Sequence, residues 1–175
     1  YTVTVTDVNS CTSTDQVTIT VNPLPIVDAG ADQTICEGST ASIGGTPTGP
    51  SGSTFAWDNG ASLSSAAIAN PIANPVTTTI YTVTVTDLNG CSATDQVTIT
   101  VNPSPNVNAG ADQSICEGAS ATIGGSPTST TAGVTYAWDN GASLSSTTVA
   151  NPLANPIVTT TYTVTVTDGN TCTST

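Results

Sequence analysis

The side chains that could do chemistry in this 175-residue sequence are five cysteines and twelve carboxylates. The cysteines recur: Cys11 matches Cys91, Cys36 matches Cys116, and Cys91 matches Cys172, at a spacing of about eighty residues. Repeating cysteines in a lysine-free chain point to disulfides and to an oxidising compartment. Two pairings compete. Within a unit, Cys36 would join Cys91 and Cys116 would join Cys172. Between units, Cys36 would join Cys172 beside the joint Asn102-Pro103-Ser104-Pro105. Cys36 precedes a tight turn at the far end of its unit, and Cys91 follows a hairpin turn at the near end. A six-residue strand spans about 20 Å, whereas bridged Cα atoms lie within about 7 Å, which favours the pairing between units. Free thiols and bonds to another chain, including those of Cys11, stay open as alternatives.

Asp28, Asp32, Glu37, Asp87 and Asp95 mostly recur at matching positions in the next unit. Ca²⁺ favours clustered oxygen ligands, and the candidate ligands are Asp32, Glu37, Asp112 and Glu117. Against a metal, Asp28 becomes Asn108, and no Asp-x-Asp-x-Asp-Gly loop occurs. The plainer reading makes these acids solvated turn and edge residues, whose charge discourages edge-to-edge strand pairing. Catalysis lacks its usual parts. No His or Lys can serve as a base, and no Arg or Lys can hold an oxyanion. The expectation is a protein that is not an enzyme and needs no cofactor. Trp57 and Trp138 could stack on sugars, but they share a strand face with Phe55 and Tyr136, which favours core packing.

The missing cations also narrow the partners. With no Lys, Arg or His and a net charge of −12, nothing neutralises phosphate, so nucleic-acid binding is excluded. Polybasic attraction to anionic lipid is excluded likewise. Every carboxylate must be solvated, capped by backbone N–H or bound to metal. Lys–Asn isopeptide crosslinks are ruled out. No run approaches the roughly 18 apolar residues of a membrane helix, so no membrane insertion is expected in this segment. Hydrophobic residues make up 37% of the chain, which separates it from a disordered acidic tail.

The elements that must position these residues are strands. In Tyr81-Thr-Val-Thr-Val-Thr-Asp87, valine alternates with threonine, and it does so again in Gln96-Val-Thr-Ile-Thr-Val-Asn102. Period two buries one face and wets the other, and threonine keeps the wet face β-branched. Asp-Leu-Asn-Gly between the runs predicts a hairpin turn with Asn and Gly at positive φ. The hairpin occurs almost unchanged at Tyr1–Pro23, and its first half returns at Tyr162–Thr175. Strands are predicted from Val27, over Asp32–Cys36, Ser39–Ile43, Thr54–Trp57 and Val76–Ile80, with Leu63 and Ile68 plugging the core edge. About seven short strands with turn signals every eight to twelve residues predict an antiparallel β-sandwich. Its predicted core is Val27, Ile35, Ile43, Phe55, Trp57, Leu63, Tyr81, Val83, Val85, Val97, Ile99 and Val101. The organisation reads as 1–23, the last hairpin of a preceding repeat; 24–104, a complete repeat; and 105–175, a next repeat lacking its last strand. One extra residue in the second unit falls between Pro127 and Trp138. The expectation is a window on a much longer array.

Ala-Gly-Ala-Asp-Gln-Thr-Ile-Cys-Glu-Gly (29–38), Ala-Trp-Asp-Asn-Gly (56–60) and Tyr-Thr-Val-Thr-Val-Thr-Asp-Leu-Asn-Gly-Cys (81–91) resemble the PKD-like, immunoglobulin-like repeats of bacterial surface proteins. Such repeats are common in adhesins and gliding-motility-associated proteins of Bacteroidota. The resemblance implies all-β, tandem Ig-like sandwich domains arranged end to end, with an extracellular, load-bearing or adhesive role. The leading expectation is a structural segment of a stiff fibre or adhesin stalk, partnered by neighbouring repeats and by other copies of itself. The alternative is an adhesive module that meets a glycan or host surface through the loops Gly44–Ser53 and Ala61–Asn74. Near-identical loops in successive repeats weigh against that alternative.

Overall fold

Alternation of valine and threonine produces paired strands wherever a partner is in reach. The computed structural model describes residues 1–175. An N-terminal hairpin pairs β1 (Thr2–Thr6) with β2 (Thr12–Gln16) in antiparallel register, Thr2 opposite Gln16 and Thr6 opposite Thr12. All ten of its strand residues are exposed, because no second layer covers either face.

Residues 24–104 build a two-layer unit from β3 (Gln33–Cys36), β4 (Ala41–Ser42), β5 (Thr54–Trp57), β6 (Ile72–Ala73), β7 (Thr79–Thr86) and β8 (Ser92–Asn102). One sheet runs β3-β8-β7-β5, and β4 pairs with β6 in the other. Within β7 and β8 the period-two pattern is realised: Tyr81, Val83, Val85, Val97 and Ile99 are wholly buried, while the threonines between them face outward. Trp57, Ile43, Ala29, Ala41 and Ala73 complete the core, with Val27, Ile35, Phe55 and Leu63 packed at its margin. The Trp57 indole N–H donates to the Ile68 carbonyl at 2.9 Å, and the Tyr81 hydroxyl meets Ser62 Oγ at 2.6 Å, so both buried polar tips are satisfied. An all-β, immunoglobulin-like sandwich with a buried tryptophan on β5, the edge strand of the four-stranded sheet, is the result.

Residues 105–175 form β9 (Ala121–Thr122), β10 (Thr135–Trp138), β11 (Leu153–Ala154), β12 (Val164–Thr167) and β13 (Thr173–Ser174), in sheets β10-β12-β13 and β9-β11. The Trp138 indole repeats the earlier bond, to the Val149 carbonyl at 3.0 Å. The core cluster here consists of buried Trp138, Val164 and Val166, with Val107, Ile123, Tyr136 and Leu144 packed against it.

Several expectations are corrected. The sandwich is not wholly antiparallel: β3 runs parallel to β8, with Gln33 opposite Ile99 and Cys36 opposite Asn102. The chain kinks at Gly30, whose φ is +88°, a conformation natural to glycine, and this turns it onto the edge of the β8 sheet. The complete unit has six strands rather than about seven, because residues around Val27 bond to a loop instead of a ladder: Asp28 N donates to Thr48 O at 3.0 Å and Gly45 N to Asp28 O at 2.7 Å. Only Ala41–Ser42 of the expected Ser39–Ile43 strand is paired, and the strand expected from Val76 starts at Thr79. Ile68 does not plug the core. Its side chain is exposed and its carbonyl is what the tryptophan uses. In the hairpin turn only Gly90 takes positive φ, not Asn89.

The matching turn positions hold Ser10 at φ 65° and Thr171 at φ 67°. L-residues, β-branched ones above all, are disfavoured there. Thr171→Gly is expected to raise stability by up to about 1 kcal/mol, read as a higher midpoint in thermal unfolding. Ile99→Ala should cost about 2–5 kcal/mol. Ile80→Ala, on the outward face of β7, should change stability by about 0.5 kcal/mol or less. Urea denaturation followed by tryptophan fluorescence distinguishes the two.

Candidate functional site

The candidate site is the joint between the two units. Strand β8 ends at Asn102, whose carbonyl accepts from Glu37 N at 2.8 Å, so β3 and β8 stop together. The chain after β3 turns at Glu37-Gly38, where Gly38 has φ +81° and Ser39 N donates to Cys36 O at 3.0 Å. This leaves Cys36 at the end of the unit, beside the Pro103–Pro105 segment that enters the next. Proline fixes φ at both positions and biases the residue before it to extended backbone.

Cys172 reaches the same place from the other side. It follows the turn between β12 and β13, where the Asp168 carboxylate accepts from Asn170 N and Cys172 N, both at 2.9 Å. Asp87 makes the same pair of bonds to Asn89 N and Cys91 N, and Asp7 to Asn9 N and Cys11 N. An aspartate therefore sets the cysteine in every copy of the hairpin. Cys36 and Cys172 are joined in a disulfide with Cα atoms 5.5 Å apart, across 136 residues of sequence, and Cys172 is fully buried. The pairings within a unit, Cys36–Cys91 and Cys116–Cys172, are not formed. Closing so long a loop stabilises by about 3–5 kcal/mol in the chain-entropy account. The joint thus has two covalent connections, the proline segment and the disulfide.

Cys11, Cys91 and Cys116 are free thiols. Cys91 lies against the preceding joint, its Sγ 3.9 Å from the Asn22 carbonyl oxygen. It stands to Asn22–Pro25 as Cys172 stands to Asn102–Pro105. Cys116, the counterpart of Cys36, is exposed.

The carboxylates find backbone amides. Asp32 accepts from Thr98 N at 2.8 Å and Asp95 from Ala29 N at 2.8 Å, which ties β8 to the first stretch of its unit. Asp58 accepts from Thr82 N and Asp139 from Thr163 N, each at 2.7 Å. Asp28 accepts from Gly30 N at 2.8 Å, and Asn108 does the same for Gly110 N at 2.9 Å, so the negative charge is dispensable at that position. Of the candidate metal ligands, Asp32 is occupied as described, while Glu37, Asp112 and Glu117 are exposed. No three His, Cys, Asp or Glu side chains converge as a metal site would require. No helix is long and apolar enough to cross a membrane.

The two loops considered for ligand contact brace each other. Buried Thr48 donates its hydroxyl towards Gly45 O and Ala69 O, and Asn70 Nδ2 donates to Gly45 O at 3.0 Å. In the second unit Thr128 Oγ1 donates to Ala150 O at 2.7 Å and Asn151 Nδ2 to Gly125 O at 2.9 Å. The residues that fix these loops point inward, a role the sequence hid because Thr and Asn in a Gly/Pro-rich loop read as solvated. The one-residue insertion of the second unit is held by Asn106, whose Oδ1 accepts from Thr130 N at 2.9 Å.

No family model matches the chain, and no curated protein matches it. Solved structures similar to it include extracellular cadherin domains 1–4 of protocadherin gamma B7 (16% identity, TM-score 0.36, covering 86% of this chain and 47% of that one). Another is the first two Ig domains of DIP-gamma (13% identity, TM-score 0.38, 87% and 94%). A third is a Bacteroides ovatus protein of a mixed-linkage glucan utilization locus, in complex with a mixed-linkage heptasaccharide (13% identity, TM-score 0.33, 87% and 46%). The chain spans less than half the length of the first and the third. At these scores the likeness carries no argument, and the fold assignment rests on the strand order and core described above.

Asp168→Ala removes the carboxylate oxygen that accepts from both Asn170 N and Cys172 N. It is expected to destabilise by about 1–3 kcal/mol and to slow re-formation of Cys36–Cys172 after reduction, measured by thiol titration during reoxidation.

Proposed function

We propose that the chain is a segment of a stiff extracellular stalk or fibre of a bacterial surface protein, built from PKD-like, immunoglobulin-like repeats set end to end. The observation that carries this reading is the Cys36–Cys172 bond beside the proline joint. Two covalent connections across one joint resist swivelling where a proline linker alone would permit it. A disulfide also suits an oxidising compartment outside the cytosol. The chain has neither cations for catalysis nor an acid cluster for a metal, and its loops are pinned to each other rather than displayed. The role is mechanical spacing, with no catalytic activity. The partners are neighbouring repeats and other copies of the same chain.

Small-angle scattering of the oxidised chain, with and without reductant, tests the reading. The oxidised chain is expected to give one sharply defined maximum dimension, and reduction or Cys172→Ser a broader pair-distance distribution. Identical profiles before and after reduction would remove the bond from the mechanism and the stiff-spacer reading with it.

A further inference from the structure

Thirteen asparagines lie along the chain. An asparagine loses its side-chain amide when the backbone nitrogen of the next residue attacks its side-chain carbonyl carbon. That reaction needs a following N–H and room for the nitrogen to approach. Six of the thirteen, Asn22, Asn70, Asn74, Asn102, Asn151 and Asn155, precede proline, which has no N–H. Asn9, Asn106, Asn108 and Asn170 precede residues whose Cβ obstructs the approach. Asn59, Asn89 and Asn140 precede glycine, which has no Cβ.

The fold treats these three unequally. Asn59 and Asn140 open the short 3-10 helices Gly60–Ser62 and Gly141–Ser143 and sit in the left-handed region, at φ 51° and 50°. Their side-chain amides are tied down: Asn59 Nδ2 donates to Ile80 O at 2.9 Å, and Asn140 Nδ2 to Thr161 O at 2.7 Å. Their backbone carbonyls are held as well, by Ser62 N and Oγ and by Ser143 N and Oγ. The space beside each glycine is taken too. A Cβ built on Gly60 would stand 3.1 Å from Ala66 Cβ, and one on Gly141 would press on Thr147 Cγ2. To swing its amide carbon round to the glycine nitrogen, each asparagine must first break its side-chain bond.

Asn89 has none of these restraints. It lies exposed at the tip of the β7–β8 hairpin, and its Nδ2 is 3.5 Å from Asp87 Oδ2, beyond the usual range for such a bond. A Cβ built on Gly90 would meet nothing within 4 Å. The attacking nitrogen is held by a single bond, Gly90 N to Asp87 O at 3.1 Å, in an exposed turn.

We propose that Asn89–Gly90 is a site of spontaneous covalent modification, a deamidation that the fold permits there and blocks at Asn59 and Asn140. Hydroxide takes the Gly90 amide proton, and the nitrogen attacks Asn89 Cγ. A new Cγ–N bond closes a five-membered imide ring. The Cγ–Nδ2 bond breaks, and ammonia leaves with a proton taken from water. Water then opens the ring at either carbonyl. One product is aspartate at position 89. The other is isoaspartate, in which the main chain runs through the side-chain carbon and the α-carboxylate hangs free. In sum, one water is consumed and one ammonia is released.

The change lies beside Cys91. Asp87 Oδ1 accepts from Asn89 N and Cys91 N, both at 2.9 Å, and these two bonds position the cysteine. Isoaspartate lengthens the main chain by one carbon between them. Either product sets a second carboxylate near Asp87, with no side-chain cation in the chain to offset it. Cys91 is half-buried, its Sγ 3.9 Å from the Asn22 carbonyl oxygen at the preceding joint. A turn altered in this way releases Cys91 from that contact. The other copies of the turn read Asn9-Ser10 and Asn170-Thr171, so one hairpin of the three carries the site.

The test ages the folded chain in warm, mildly alkaline buffer, quenches it in acid and digests it with pepsin, which needs no basic residue. Mass spectrometry follows the exchange of NH2 for OH in each peptide. The Asn89 peptide is expected to convert at least about tenfold faster than those of Asn59 and Asn140, as one or two extra hydrogen bonds at the latter require. In guanidinium chloride with reductant, the three should convert at similar rates. Iodoacetamide should label Cys91 severalfold faster in the aged chain than in the fresh one. Aged Asn89→Gln should show neither the mass change nor the faster labelling. Gly90→Ser copies Asn9-Ser10 of the first hairpin and should slow conversion severalfold. No conversion of Asn89 in the folded chain overturns the proposal, as does conversion of Asn59 and Asn140 at the same folded rate. Conversion without faster labelling of Cys91 overturns the link to the joint.

Discussion

Everything in the complete unit depends on β8 being held from both sides. Its antiparallel pairing with β7 buries Val97 and Ile99 against Tyr81 and Val83. Its parallel pairing with β3 closes the sheet over Ile35 and Ala29. The tryptophan side of the core repeats in the second unit, where Trp138, Val164 and Val166 are buried and the indole again donates to a loop carbonyl.

A second constraint is electrostatic. With no side-chain cation anywhere, the acids cannot be paired, and most are matched instead to backbone amides at places where the chain must be pinned. Asp87 and Asp168 fix hairpin turns, and Asp32 and Asp95 fix the edge of β8. Acid side chains thus do here the connecting that ion pairs do in other proteins. Hydrogen bonds to a carboxylate are directional and short, so they set geometry as well as stability.

Much of this was legible in the residues. Val/Thr alternation marks β7 and β8 because each side chain's environment depends only on its parity along the strand. The phase of Phe55 with Trp57 places both inward for the same reason. Legibility fails where pairing is decided by distant geometry. Nothing in Gln33–Cys36 itself says that its partner runs parallel, since parallel and antiparallel edges bury the same faces. Ile68 reads as core by hydrophobicity, yet the structure uses its carbonyl and exposes its side chain. The cysteine pairing was open in the sequence because spacing alone fits both choices, and only the relative height of the two turns separates them.

The Cys36–Cys172 bond also imposes an order of events on biosynthesis. A chain emerging from its N-terminus folds one unit at a time. Cys36 is in place as soon as its own unit forms, but its mate arrives only 136 residues later, in the hairpin of the unit behind. Sealing of this joint must lag folding by a whole bead, and the thiol left waiting is open meanwhile to isomerases, small thiols and wrong neighbours. Chains of this design are assembled like a zip fastener whose slider trails the teeth, and their maturation is paced by the folding of the next unit along.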